Sequence, residues 1–362
     1  MTLSPTPSND SYGQKGLFPI ARIILALISI AFLTHLIFFA TGVGAVALES
    51  FYVGSEAEQS VFAALQSILG SSPLAGRAFS VICAITALFL LARFCAVWTG
   101  DALVGAVMPL GIVLFPQVAF VFALATPHAL LLLLTMIGLS APTWSAVHDE
   151  RFGGLLAGSA CSVLVFLDSV GLGLAAAILI FVCSERQNRT FILWLLSVLI
   201  CVSLLLFLWF PVSFFSTQPT GLIETQALTV QQGVWQGFAM LWVALAFSVM
   251  ALISSKSLRL KIGNRAVRRS VMLGGSFLIA FGWLMFGLAP APSDLPIWFI
   301  PVLGLGVVSA LPLVLWIRLV MPSIQSIWIW ILLPVVMYSC FWVILGPINL
   351  DAFPYDQIEA RP

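Results

Sequence analysis

The chain has 362 residues, of which 61% are hydrophobic and 8% charged, with a net charge of +1. A soluble domain is roughly 45–50% apolar, so a chain of mean hydropathy +1.12 cannot cover itself with polar surface and takes lipid as its main solvent. The near-neutral balance gives no reason to expect a nucleic-acid partner. The six cysteines lie inside apolar runs without C-x-x-C spacing, which reads as small core residues and not as a disulfide framework or zinc site.

The opening MTLSPTPSNDSYGQKG is polar and too long for a signal-peptide n-region, and no A-x-A-like site follows the first apolar run. That run, 18–46, is therefore a retained span. Further spans are predicted at 79–99, 102–123, 128–144, 153–168, 170–184, 191–212, 237–254, 271–289, 297–318 and 325–346. The fold class is all-α: a polytopic integral membrane protein of about eleven transmembrane helices. The run from 102 to 144 is interrupted by Pro109, Pro116 and Pro127, where a different division is open.

Charge gives the layout a direction. With the N-terminus in the cytoplasm, Lys15, Arg22, Arg93, Arg151, Arg186, Arg189, Lys256, Arg259, Lys261, Arg265, Arg268, Arg269 and Arg318 face inward. Only Arg77 and Arg361 face outward. The loop SSKSLRLKIGNRAVRRS holds the largest basic cluster and reads as a cytoplasmic topology anchor. Glu49, Glu56, Glu58, Asp168, Glu224, Asp294, Asp351, Asp356 and Glu359 fall on the outer side. Outside the membrane, chemistry is confined to the outer loops 47–78 and 213–236 and to the outer ends of spans.

The first outer loop contains GSEAEQS and then VFAALQSIL, whose Val61, Phe62, Leu65, Ile68 and Leu69 follow the spacing of one helix face. It is too short to span and is predicted to lie flat at the interface. GSSP ends it, and Arg77 opens the next span.

This order resembles the GT-C glycosyltransferases: an acidic pair after the first span, an interfacial helix, a Gly/Pro break, then an arginine. The likeness is to the aminoarabinose transferase, protein O-mannosyltransferase and rhizobial lipopolysaccharide glycosyltransferase types. ATPHALLLLLTMIGL, Ala125 to Leu139, is similar to the family segment that usually carries Asp at the start of the fourth span; here the position is His128. RFGGLLAGSACSVLVFLDSVGLGLAAAILIF resembles the Gly-rich pair of spans that follows, and LWFPVSFF the Pro-ended span before the second outer loop. The resemblance covers about residues 20–215. It implies a polyprenyl-phosphate-linked sugar donor, an outward-facing site, and a carboxylate in the first outer loop as general base or ligand of a divalent cation, Mg or Mn. That carboxylate would be Glu56, partnered by Glu58, where the family more often has Asp. Arg77 and His128 would bind the donor phosphate.

The chemistry has its own logic. Sugar transfer from a lipid phosphate to a hydroxyl needs a base for the proton and a cation for the departing phosphate. Loop 47–78 carries both kinds of group. Each residue also has a plain reading. Two glutamates suit a solvated loop, Arg77 an ion pair with a loop acid, His128 a satisfied interface position, and Asp168 in FLDSVG a hairpin turn. His35 reads as packed between helices.

The expected organisation is a cytoplasmic tail 1–17, a GT-C-like module 18–215, a second outer loop 216–236, C-terminal spans 237–348 and an outer acidic tail 349–362. The expected activity is sugar transfer to an envelope glycan, lipid or protein acceptor at a bacterial inner membrane, with membrane lipid and envelope-biosynthesis proteins as partners. Two rivals are a catalytically silent GT-C-fold subunit of an envelope-polysaccharide assembly and a transporter or flippase. The few ionisable residues inside spans count against transport.

Overall fold

In the computed structural model the described residues are 29–30, 32–34, 36–37, 40–41, 73–99, 105–106, 108–113, 116–167, 169–185, 188–209, 264–287, 302, 304–308 and 311. The elements among them are helical, and no strand occurs among the described residues. The helices are α1 (Pro73–Thr99), α2 (Leu110–Val113), α3 (Pro116–Ala123), α4 (His128–Val147), α5 (Glu150–Leu167), α6 (Ser169–Glu185), α7 (Arg189–Trp209) and α8 (Asn264–Gly282). A π-helical turn, Trp283–Gly287, continues α8. Pro73 and Pro116 each open a helix, where a missing N–H costs nothing.

Among the described residues four helices are long and apolar enough to cross a membrane: Leu74–Trp98, His128–Val147, Glu150–Leu167 and Arg189–Leu206. Such lengths fit a membrane-embedded protein. The expected spans 79–99, 128–144, 153–168, 170–184 and 191–212 coincide with α1, α4, α5, α6 and α7 within a few residues at most ends.

The stretch expected as one span at 102–123 is broken. Residues 108–109 form a turn, and only the short α2 and α3 follow. Pro109 and Pro116 lack the N–H that would continue a helix through them. The stretch still returns along α1. A side chain at Gly105 would meet the Ala92 carbonyl and Ala96, low on α1, while the Thr126 carbonyl lies against Ser80 near its start.

Close backbone approaches fix the order of the bundle. α5 and α6 form an antiparallel hairpin, with Gly171 against the Leu164 carbonyl, where no side chain fits. Cys161 lies 3.9 Å from the Ala175 carbonyl in the same pairing. α5 and α7 run parallel along a seam of small residues spaced four apart. A Cβ on Gly154 would lie 2.6 Å from the Phe191 carbonyl, and one on Gly158 2.7 Å from that of Leu195. One turn further, the Ser162 hydroxyl lies 3.1 Å from the Leu199 carbonyl. Small residues let helix backbones meet where apolar solvent supplies no hydrophobic drive.

α6 and α8 are antiparallel. Arg269 pairs with Glu185, Ser276 Oγ donates to the Ala177 carbonyl at 2.9 Å, and Trp283 covers Gly173. α4 touches α1, α5 and α6 and occupies the centre. Among the described helices α7 lies at the edge, with Leu193, Ile200, Leu204 and Leu208 turned outward. Cys83, Cys95 and Cys161 are core residues, as expected, but Cys183 and Cys201 are exposed.

These pairings define two ends. The starts of α1, α4 and α6 and the ends of α5, α7 and α8 share one. Among the described residues Arg93, Arg151, Arg189, Arg265, Arg268 and Arg269 lie at or toward the other, the basic end. Arg77 alone of the described arginines lies at the opposite end.

Candidate functional site at the Arg77 end

Arg77 sits in the second turn of α1 and is 3% exposed. Burying a guanidinium is costly unless its donors are used. Its Nη1 donates to the Ala40 carbonyl at 3.1 Å. The bond ties α1 to the first apolar run, across 37 positions of sequence. Arg77 thus serves at least in part as a strut between helices.

One turn along the same face is Ser80, also buried, its hydroxyl 3.4 Å from the Thr126 carbonyl. Thr126 belongs to the bend between α3 and α4. Its N–H donates to the Leu124 carbonyl at 2.8 Å, its hydroxyl to the Val121 carbonyl at 3.3 Å, and Leu124 N–H to the same Val121 carbonyl at 3.3 Å. Residues 121–129 are all buried. Irregular backbone at such depth survives only when its polar groups are met internally, and the Thr126 hydroxyl and amide help to do this. Pro127 then sets the entry to α4, where its carbonyl accepts from Leu131 N–H at 2.8 Å.

His128 is the first residue of α4 and is fully buried. The Ser80–Thr126 contact therefore brings the Arg77 end of α1 and the His128 end of α4 to one corner. Among the described residues the charges at this corner are positive. Two helix starts point their partial positive charge to this end, and Arg77 adds a full one. Among the described residues the acids Asp149, Glu150 and Glu185 all lie at the basic end. The corner is chemically suited to an anion.

Of the residues singled out from the sequence, Arg77 and His128 come to the same corner. Glu56 and Glu58 lie outside the described residues, as do Asp168, His35, the interfacial segment 61–69 and the loop 213–236. Ser80 and Thr126 were not singled out. Ser80 stands one turn after Arg77, and a threonine before Pro127 was the available signal for the second.

No protein-family model, curated protein or solved structure matches the chain. The GT-C likeness thus rests on the ordered segments of this sequence. Among the described residues no group of three His, Cys, Asp or Glu gathers that would hold a metal ion. His128 is the one metal-ligating side chain described at this corner. A divalent cation there would depend on Glu56 and Glu58.

Proposed function

We propose that the chain is a GT-C-type membrane glycosyltransferase working at the Arg77 end of the bundle. A single observation carries the reading. The residues that the resemblance assigns to phosphate binding, Arg77 and His128, are both buried and lie at the same end of two helices that the Ser80–Thr126 contact joins. In this proposal Glu56 takes the proton of the acceptor hydroxyl, the hydroxyl oxygen bonds to the sugar's anomeric carbon, and the bond from that carbon to the donor phosphate breaks. Arg77 and the α4 start take up the charge that appears on the departing polyprenyl phosphate. Glu58 holds Glu56 in place or shares a cation with it.

The wider topology belongs to the same proposal: about eleven spans, an N-terminus in the cytoplasm, and a bacterial inner membrane. The basic end is then cytoplasmic, by the preference of arginine and lysine for that side. The ends of the described helices are consistent with it. α7 finishes at the Arg77 end and α8 begins at the basic end, as the expected span 237–254 between them requires.

The bond from Arg77 to Ala40 also favours a second reading, a silent GT-C-fold subunit in which the guanidinium is purely structural. Glu56→Gln and Glu58→Gln separate the two. Transfer of labelled sugar from a polyprenyl-phosphate donor, assayed in membranes lacking the native chain, is expected to fall on the order of a hundredfold or more for Glu56→Gln. Full complementation by both variants would overturn catalysis by this loop.

A further inference from the structure

α8 has three faces. Arg269, Ser276 and Trp283, at the start of the π-helical turn, stand seven positions apart and meet α6. Leu273, Phe277 and Phe281 are buried on a second face, with Phe277 against Gly306. The third face carries Val271, Leu278 and Ile279, all exposed. At about 100° of rotation per residue, Gly275 and Gly282 lie in the middle of this open face. Among the described residues nothing comes within 4 Å of a Cβ placed on either glycine.

Glycine inside a helix weakens it relative to alanine. Elsewhere in the bundle close packing offsets that weakness. Gly154, Gly158, Gly171 and Gly173 each let a neighbouring helix come within 3 Å of where a Cβ would lie. Gly275 and Gly282 make a shallow groove two turns long on an apolar surface. Lipid tails would cover that surface equally well with leucine at both positions, so lipid gives the glycines no purpose. A second helix does. Helices that cross at a small angle repeat their contact every seven residues, and small residues there let the backbones meet.

The chain itself supplies such a helix. α7 finishes at the Arg77 end and α8 begins at the basic end. The expected span 237–254, which lies outside the described residues, comes between them, and only residues 255–263 separate it from α8. Helices joined by so short a connection are usually antiparallel neighbours. Gly237, Ala244 and Ala251 stand seven apart in that span, on one helix face. Folding the chain back about the middle of 255–263 sets Ala244 opposite Gly275 and Gly237 opposite Gly282. The two sets of small residues thus agree in period and in register.

We propose that span 237–254 docks antiparallel on the glycine face of α8, with Ala244 against Gly275 and Gly237 against Gly282. The inference rests on the reading of 237–254 as a membrane span, and not on glycosyl transfer.

Two measurements on the full chain test it. Gly275→Leu with Gly282→Leu fills the groove and is expected to lower the thermal unfolding midpoint in detergent by about 5 °C. On a face open to lipid the same change would raise the midpoint, because leucine is the better helix former. The second measurement is cross-linking, in a full-length chain whose native cysteines are replaced by alanine. Ala244→Cys with Gly275→Cys is expected to form a disulfide within one chain on mild oxidation, read by mass spectrometry of the linked peptides. Ala246→Cys, on the opposite side of the span, should form none with Gly275→Cys. The proposal is overturned by a midpoint that holds or rises in the Leu double variant, by no linkage from position 244, or by linkage from position 246 in its place. Disulfides between two chains would also overturn it, since the occupant would then be a second copy. The cross-link stands whether or not the Leu variant folds, and the midpoint stands whether or not the cysteine replacements are tolerated.

Discussion

Arg77 and Arg269 stand at opposite ends of the same bundle and are held in different ways. Arg77 is 3% exposed and donates to a backbone carbonyl from another segment. Arg269 keeps about a third of its side chain exposed and meets a carboxylate on the neighbouring helix. Among the described residues at the Arg77 end, Arg77, Ser80 and Thr126 are buried and bonded to backbone. At the basic end they are many and mostly exposed, and two other charges, Asp149 and Arg151, meet only loosely at 4.0 Å. The difference teaches where a bundle of this composition can keep a working charge. A buried cation is sheltered from solvent and salt. A cation at a charge-rich rim is shared and screened.

The comparison can be broken at its root by disturbing the seam on which both ends depend. Gly154→Val would drive a side chain into the Phe191 backbone, and overpacking of this kind costs about 1–3 kcal/mol, more where only backbone can give way. The largest fall in unfolding midpoint in detergent is expected here, with both ends affected alike.

Arg77→Met keeps the bulk and removes the donor to Ala40. A loss of about 2–3 kcal/mol is expected, the range for a charge-assisted bond, and it should be insensitive to salt because the site is buried. Thermal unfolding at low and high salt checks this. A strong salt dependence would mean that Arg77 is not sheltered from solvent as its burial indicates.

Glu185→Gln removes one charge of the pair at the other end. About 1–2 kcal/mol is expected, less than for Arg77 because Arg269 is partly exposed. This loss should shrink as salt rises, and that contrast in salt response is the sharpest form of the comparison. The smallest effect is expected from Ser162→Ala. It deletes a hydroxyl shared between the Gly158 carbonyl of its own helix at 2.8 Å and the Leu199 carbonyl of α7 at 3.1 Å, worth at most roughly 0.6 kcal/mol between the helices, and leaves both ends untouched. The same midpoint assay reads it, and a drop comparable to that of Gly154→Val would show that the seam depends on the hydroxyl more than on close packing.

Much of the fold could be read from local pattern. Hydropathy placed α1, α4, α5, α6 and α7 to within a few residues at most ends, because each apolar run long enough to cross lipid must close its backbone bonds as a helix. The division at 102–123 was less legible. Pro109 and Pro116 announced interruptions, but hydropathy averages over a turn of two residues and cannot tell a broken crossing from a whole one. Of the candidate site, the presence of Arg77 at the end opposite the other described arginines followed from charge counting alone. Its partner did not, since Ala40 offers only a backbone carbonyl and no residue type advertises that.

By itself, then, the sequence determined that the chain is helical and apolar enough for lipid, and which charges gather at which end. Those properties are set residue by residue, by transfer free energy and by backbone bonds closed within each segment. Only the tertiary structure decided which helices touch. Gly154, Gly158 and Ser162 read equally well as a seam for any neighbour; their meeting with α7 depends on close packing between backbones. The same holds for the Ser80–Thr126 contact between α1 and α4 and for the Arg269–Glu185 pair between α8 and α6. Each is made of residues distant along the chain, and each depends on a single hydrogen bond or ion pair between helices whose choice of partner no local pattern encodes.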